Sequence, residues 1–241
     1  MVQRSHWVRE AGRRLAGRLG PPPHQAAELS DQEIIDRFHR LYYDAEQHGG
    51  TWRDTWFLGV PFRKCALDAW IYQEILHELR PELIVECGTF AGGSALYLAS
   101  ICELLGSGRV VSIDIAPQPD LPSHPRLTYI VGSTTSDEVH RQVCDAAAGS
   151  SATLVILDSD HSCEHVLREL RMYSPLVTVG SYVIVEDTNI NGHPVVPDFG
   201  PGPHEAVRAF LDDNQEFELD ASKEKFLLSF NPGGHLRRVR S

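Results

Sequence analysis

Four short apolar runs in this chain each end on an acidic side chain. They are Leu83-Ile84-Val85-Glu86, Val110-Val111-Ser112-Ile113-Asp114, Leu154-Val155-Ile156-Leu157-Asp158 and Tyr182-Val183-Ile184-Val185-Glu186-Asp187. β-Branched runs of this length read as strands buried on both faces of a parallel sheet. In open α/β sheets, ligands bind beyond the carboxyl ends of the strands. A row of carboxylates there costs too much desolvation to serve as packing. It points instead to a polar cofactor, a cation, or both.

The acids differ in the chemistry they could do. Asp114 closes the second run, where a carboxylate can grip both hydroxyls of an adenosine ribose. NAD and S-adenosylmethionine would both use it. Before it lies Glu86-Cys87-Gly88-Thr89-Phe90-Ala91-Gly92-Gly93-Ser94, a strand end, a glycine-rich turn and a helix start. Its spacing is G-x-x-x-G-G and not the dinucleotide fingerprint G-x-G-x-x-G. Gly132-Ser133, after the third strand, could line an adenine pocket or form an ordinary turn. Asp158-Ser159-Asp160-His161 and Glu186-Asp187 follow two strands that should be neighbours, which brings Asp158, Glu186 and Asp187 together. Three adjacent carboxylates repel one another without a cation, and hard oxygen ligands select Mg²⁺, Mn²⁺ or Ca²⁺. The alternative is helix capping by Asp158 or Asp160 beside solvated acids. His161-Ser162-Cys163-Glu164-His165 matches the H-x-x-E-H pattern of inverted zinc peptidases, but a strand end of an α/β fold is the wrong setting. His161 is therefore expected to line the pocket, and His165 to pack or face solvent.

The elements that must position these residues can be read along the chain. Residues 1–20 form a basic helix with Trp7, Ala11, Leu15 and Leu19 on one face, stopped by Pro21-Pro22-Pro23. A helix over 31–47 follows, with Ser30 and Glu33 as a capping box and Gly49-Gly50 at its end. Residues 51–64 read as an aromatic-rich loop in which Trp52, Trp56 and Phe57 pack or act as a lid. The helix over 66–79 has an apolar stripe of Leu67, Ile71, Ile75 and Leu79. Lys64 and Asp68, beside its start, could reach the cofactor end of the sheet. Strands at 83–87, 109–113, 127–131, 153–157 and 181–186 alternate with helices at 93–105, 136–148, 162–173 and 204–213. Two final strands, 216–220 and 225–230, are joined by a link short enough for a hairpin.

Composition sets the limits. A chain of 241 residues with 42% hydrophobic content suits one large α/β domain with an accessory segment. A formal charge of −11 argues against a phosphate-backbone partner. Five scattered cysteines fit a reducing cytoplasm better than a disulfide framework. No run approaches the roughly 18 apolar residues of a membrane span. The N-terminal arginines precede no apolar stretch, so no signal peptide is expected. Those arginines read as a solvated or oligomer-facing surface.

The chain resembles class I S-adenosylmethionine-dependent methyltransferases of the cephalosporin hydroxylase / rhamnosyl O-methyltransferase family. The resemblance lies in WFLGVPFRKCALD, RPELIVECGTFAGGSALYLA, GRVVSIDI, HPRLTYIVGST, LDSDHSCEHVLREL, GSYVIVEDT, GPGPHEAVRAFL and FELDASKEKFLLSFNPGGHLRRV. One departure is Cys65-Ala66, where the family pattern has a proline after the lysine. The resemblance implies a Rossmann-like, doubly wound α/β sheet, mostly parallel, with a C-terminal antiparallel hairpin. It implies a methyltransferase domain over 59–241, behind an N-terminal helical segment, 1–58, that forms a lid or an oligomer contact. Glu86, Gly88, Thr89, Ser94, Asp114 and Ser133 would surround S-adenosylmethionine. Asp158, Glu186 and Asp187 would hold Mg²⁺, and Asp160 would be the general base with His161 in reserve. The expected reaction is methylation of a hydroxyl on a glycoside or other hydroxylated small molecule, by a cytoplasmic homo-oligomer with no nucleic-acid or membrane partner. Alternatives are a part in cephalosporin 7α-hydroxylation or methoxylation, and an NAD-dependent oxidoreductase.

Overall fold

The computed structural model describes residues 29–44, 51–117 and 119–240. The basic helix over 1–20, the triple proline and Gly49-Gly50 lie outside them. Met1–Ile34 and Ile35–Ser241 are two compact units. Helix α1 is Asp31–Tyr43. At its start the Ser30 amide donates to Glu33 Oε2 at 2.7 Å and the Glu33 amide to Ser30 Oγ at 3.3 Å, the expected capping box.

A short ladder, β1 (Trp56–Phe57) with β2 (Val60–Pro61), precedes α2 (Ala66–Leu79). Cys65 is the N-cap of α2, with extended backbone, so the missing proline leaves the helix start in place. The main unit then alternates β3 (Leu83–Cys87), α3 (Gly93–Leu105), β4 (Arg109–Asp114), β5 (Leu127–Val131), α4 (Asp137–Ala147), β6 (Thr153–Leu157), α5 (Cys163–Tyr173) and β7 (Tyr182–Val185). It ends with α6 (Pro203–Asp213), β8 (Phe217–Leu219) and β9 (His235–Arg238). The sheet order is β5-β4-β3-β6-β7-β9-β8. The first five are parallel, and β9 runs antiparallel to both β7 and β8.

Alternation along the strands divides the core between two faces. Leu83 and Val85 pack with α4, α5 and α6 through Val143, Leu170 and Phe210. Ile84 packs against α2 and α3 through Ile75, Leu98 and Ala99. Glu86 follows Ile84 on that second face, which explains its complete burial.

The last strand lies later than expected. Residues 225–230 are apolar enough for a strand, but Leu227 adopts φ +66° and breaks the extension. Leu228 and Phe230 instead bury in a satellite cluster with Cys65, Tyr42, Tyr43 and Trp52. The Phe230 amide donates to Asp68 Oδ2 at 2.8 Å and so is not available to a ladder. Tertiary burial overrides the local strand propensity here. The antiparallel pair closes through a long link that includes a 3₁₀ turn at Ala221–Glu224. Among the described residues, no helix is long and apolar enough to cross a membrane.

Strand order reverses between β3 and β6, and the chain is tightest there. The Asp158 amide donates to the Cys87 carbonyl at 2.8 Å, and the Gly88 amide to the Ile113 carbonyl at 2.8 Å. Gly88 has φ +105°, and a Cβ on it would lie 1.9 Å from the Asp158 carbonyl oxygen. Gly88→Ala should therefore cost about 2–4 kcal/mol, the range of a backbone clash at a glycine-only conformation. Chemical denaturation checks this, and a loss below about 1 kcal/mol would show that the turn can yield.

Candidate active site

A cleft of about 1010 Å³ opens at the switch point, beyond the carboxyl ends of the parallel strands. Gly88, Thr89, Ser94, Asp114, Ser133, Asp158, Asp160, His161 and Asp187 all line it. Glu86 and Glu186 do not.

One half is built around Asp114. Its Oδ2 accepts from the amides of Thr89 at 3.0 Å and Phe90 at 2.8 Å, and its Oδ1 from Ala116 at 2.9 Å. The carboxylate thus fastens the glycine-rich turn to the end of β4 and keeps lone pairs for further donors. Behind the turn, Ser112 Oγ donates to Glu86 Oε2 and lies 2.7 Å from Thr89 Oγ1. Burial pushes the Glu86 carboxyl up, against the pull of the Lys64 charge. The structure thus places Glu86 as a support for Ser112 and Thr89 and not on the cleft wall. Ser133 Oγ sits 3.1 Å from Thr135 Oγ1 at the rim.

The other half gathers the acids. Asp158, His161 and Asp187 each offer an atom, and these atoms lie within 4.8 Å of one another. His161 Nε2 is 3.3 Å from Asp187 Oδ2. Burial pushes the Asp187 carboxyl up to about 6, with His161 opposing. Its backbone has φ +53° and its amide donates to Asn231 Oδ1 at 3.1 Å. Glu186 is outside this group. It is 6% exposed and accepts from Lys64 Nζ at 2.7 Å. The same ammonium donates to Asp158 Oδ2 at 2.5 Å. Burial disfavours the Lys64 charge, but Asp158, Glu186 and Glu86 more than offset it and raise its pKa.

Asp160 is exposed, and its Oδ1 accepts from the Ser162 amide at 2.8 Å. The Ser162 hydroxyl, and after it this amide, hold its carboxyl below the usual range. His165 also lines the cleft but is tied to other partners. Its Nε2 lies 3.1 Å from Thr134 Oγ1, 3.2 Å from Ser159 Oγ and 3.3 Å from Glu169 Oε1. The helix begins only at Cys163, so the two histidines do not share a helical face and form no zinc pair.

Two features go beyond the sequence expectation. Lys64, expected to reach the cofactor end of the sheet, is an internal counter-ion of the acids there, a pairing that the unbalanced carboxylates themselves could have signalled. The second is an aromatic enclosure. Phe230 is stacked by His39 at 5.8 Å and met edge-on by Tyr42, Tyr43 and Trp52. Tyr43, Trp52 and Arg53 extend this cluster into the cleft wall. His39 Nε2 pairs with the Asn189 amide nitrogen at 3.0 Å, two residues beyond Asp187.

Residues 49–239 match the family described as Rhamnosyl O-methyltransferase/CmcI. The chain belongs to that family. Its members include the Rhamnosyl O-methyltransferase of Mycobacterium tuberculosis, 38% identical over 212 residues that span 85% of each chain. The Mycobacterium leprae (strain TN) protein of the same name is 37% identical over 211 residues, covering 85% of this chain and 90% of that one. The family makes the protein an S-adenosylmethionine-dependent O-methyltransferase, and the NAD reading falls away. Solved structures agree in fold. A CmcI structure with Mg and SAM superimposes with a TM-score of 0.59 at 22% identity over 78% of this chain and 77% of that one. An apo CmcI structure gives 0.61 at 20% identity over 92% and 91%.

The enclosure around His39 predicts acid sensitivity. Burial lowers its pKa to about 4 from an ordinary 6.5. The neutral ring is favoured when folded, so this contribution is present above pH 6.5 and is lost as pH falls through about 4. The full difference is on the order of 3 kcal/mol. His39→Gln, which does not titrate there, should flatten the decline in unfolding free energy between pH 6.5 and 4. Parallel curves for the two proteins would refute this.

Proposed function

We propose that this enzyme methylates a hydroxyl of a rhamnosyl or other sugar-bearing natural product, with Mg²⁺ held at the acidic end of the cleft. The observation that carries this reading is the convergence of Asp158, His161 and Asp187 within 4.8 Å, in the same cleft as the Asp114-fastened turn. The carboxylates there offer the hard oxygen ligands that suit Mg²⁺ or Mn²⁺. Asp158, Glu186 and Asp187 would hold the ion, with His161 beside them. Bound there, it would orient a substrate hydroxyl and lower its pKa.

The remaining work falls to the chain. Gly88 lets the backbone approach the cofactor closely. Asp114 would accept from the ribose hydroxyls, while Thr89, Ser94 and Ser133 border the same half. Tyr43, Trp52 and Arg53 offer an aromatic and cationic wall for the acceptor. In the transfer the acceptor oxygen forms a bond to the methyl carbon and the carbon–sulfur pair returns to sulfur. Alignment in the closed cleft supplies much of the rate. Asp160 takes the hydroxyl proton through Oδ2, since Oδ1 is engaged with Ser162.

The test is conversion of rhamnosides and related glycosides with S-adenosylmethionine and Mg²⁺, read by mass. Product formation should stop in excess EDTA and return with Mg²⁺; full turnover in EDTA would remove the cation from the reading. Asp158→Asn should lower kcat by about 100-fold or more while cofactor affinity stays within a few-fold. Asp114→Ala should weaken cofactor binding by about 10–100-fold, the worth of a charge-assisted hydrogen-bond pair. Calorimetry showing unchanged affinity would dismiss the ribose assignment.

A further inference from the structure

We propose that Arg63 anchors the cofactor by its carboxylate: the guanidinium, laid on the ring of Phe90, pairs with the methionine carboxylate of S-adenosylmethionine. This rests on the family's cofactor and stands apart from the cation reading. Arg63 lines the cleft beside Thr89, Phe90, Gly93 and Ser94, and its guanidinium carbon lies 4.7 Å from the Phe90 ring centroid. Among the described residues no carboxylate pairs with it. The chain has 33 acidic residues to 22 basic ones, so the missing partner does not reflect a shortage of acids.

The backbone fixes where this charge sits. Residues 61–63 lie against the start of α3: a Cβ on Gly93 would fall 2.1 Å from the Pro61 carbonyl oxygen, and Phe62 meets Tyr97 edge-on at 5.5 Å. Arg63 itself is left-handed at φ +51°. That conformation is disfavoured for a residue with a Cβ, and such outliers collect at ligand sites. Phe90 is a fixed platform, since its amide donates to Asp114 Oδ2 at 2.8 Å. The guanidinium is therefore referenced to the same acid that would take the ribose hydroxyls. Stacking uses its flat face and leaves its in-plane N–H donors free. Those donors match a carboxylate in a two-point, charge-assisted pair. S-Adenosylmethionine carries one anionic group, the carboxylate of its methionine part, while its sulfonium and ammonium would be repelled. The carboxylate is unchanged by methyl transfer, so Arg63 holds cofactor and product alike and adds affinity without altering kcat.

Calorimetry of the full-length protein with S-adenosylhomocysteine and with its decarboxylated amine tests this. Wild type should bind S-adenosylhomocysteine about 10-fold or more tighter than the amine. Arg63→Gln should weaken S-adenosylhomocysteine by about 10-fold, leave the amine within about twofold, and so abolish the preference. Arg63→Lys keeps the charge but loses the two-point geometry, and its preference should fall between the other two. No preference in wild type, or a full preference retained in Arg63→Gln, overturns the proposal; the second result is the one expected if the guanidinium serves an anionic acceptor instead. Equal losses for both ligands would show that Arg63 only shapes the turn, and would overturn it too. If Arg63→Gln fails to fold, Arg63→Lys carries the test, and a preference equal to that of wild type refutes the assignment.

Discussion

Carboxylates cannot crowd the end of a dry sheet without something to hold their charge. Glu86, Asp158, Glu186 and Asp187 all converge where β3, β6 and β7 end, and Lys64 is the cation within their reach. Around this one requirement much of the architecture is arranged. The segment before α2 must pass over the strand ends to deliver the ammonium. Gly88 must be bare so that the turn after β3 can lie against Asp158. The buried polar chain from Glu86 through Ser112 to Thr89 then stiffens the cofactor turn from behind.

The two halves of the cleft are thereby mechanically joined. Asp114 grips the turn by its amides on one side. On the other, the backbone of Asp158 is bonded to Cys87 at the base of that same turn. A methyl donor and an acceptor lodged in the two halves would be referenced to one rigid seam, which is what an in-line displacement demands. His165 and Glu169 add a second tie, joining Thr134 on the cofactor side to Ser159 beside the acids.

β3 and β6 were legible because burial on both faces leaves a plain signature of short β-branched runs, and both fall at the expected residues, as does the half-exposed edge strand β5. The acids at the strand ends were legible for the same reason: polarity stands out against such runs. Lys64 was legible as a residue near the cofactor end of the sheet but not as the partner of Asp158 and Glu186, because those partners are distant in sequence. The placement of β9 was hidden by Phe226-Leu227-Leu228, of which Leu228 joins the cluster around Phe230 while Phe226 and Leu227 stay exposed. Helix periodicity marks α2 but not that Asp68, expected near the cofactor end of the sheet, is buried against the Phe230 amide. The positive backbone torsion of Asp187, at φ +53°, is likewise something no residue pattern announces.

That torsion has a consequence for how the site can vary. At φ +53°, position 187 disfavours most side chains, and aspartate, asparagine and glycine are the residues that occupy it at least cost. Of these, only aspartate and asparagine present an oxygen to the cleft. The chain path alone therefore restricts the acceptable alphabet at this position to a carboxylate or its amide. Drift there amounts to a choice of charge at nearly constant shape, so on the proposed cation reading the strength of the hold could be adjusted without moving the atom that makes it.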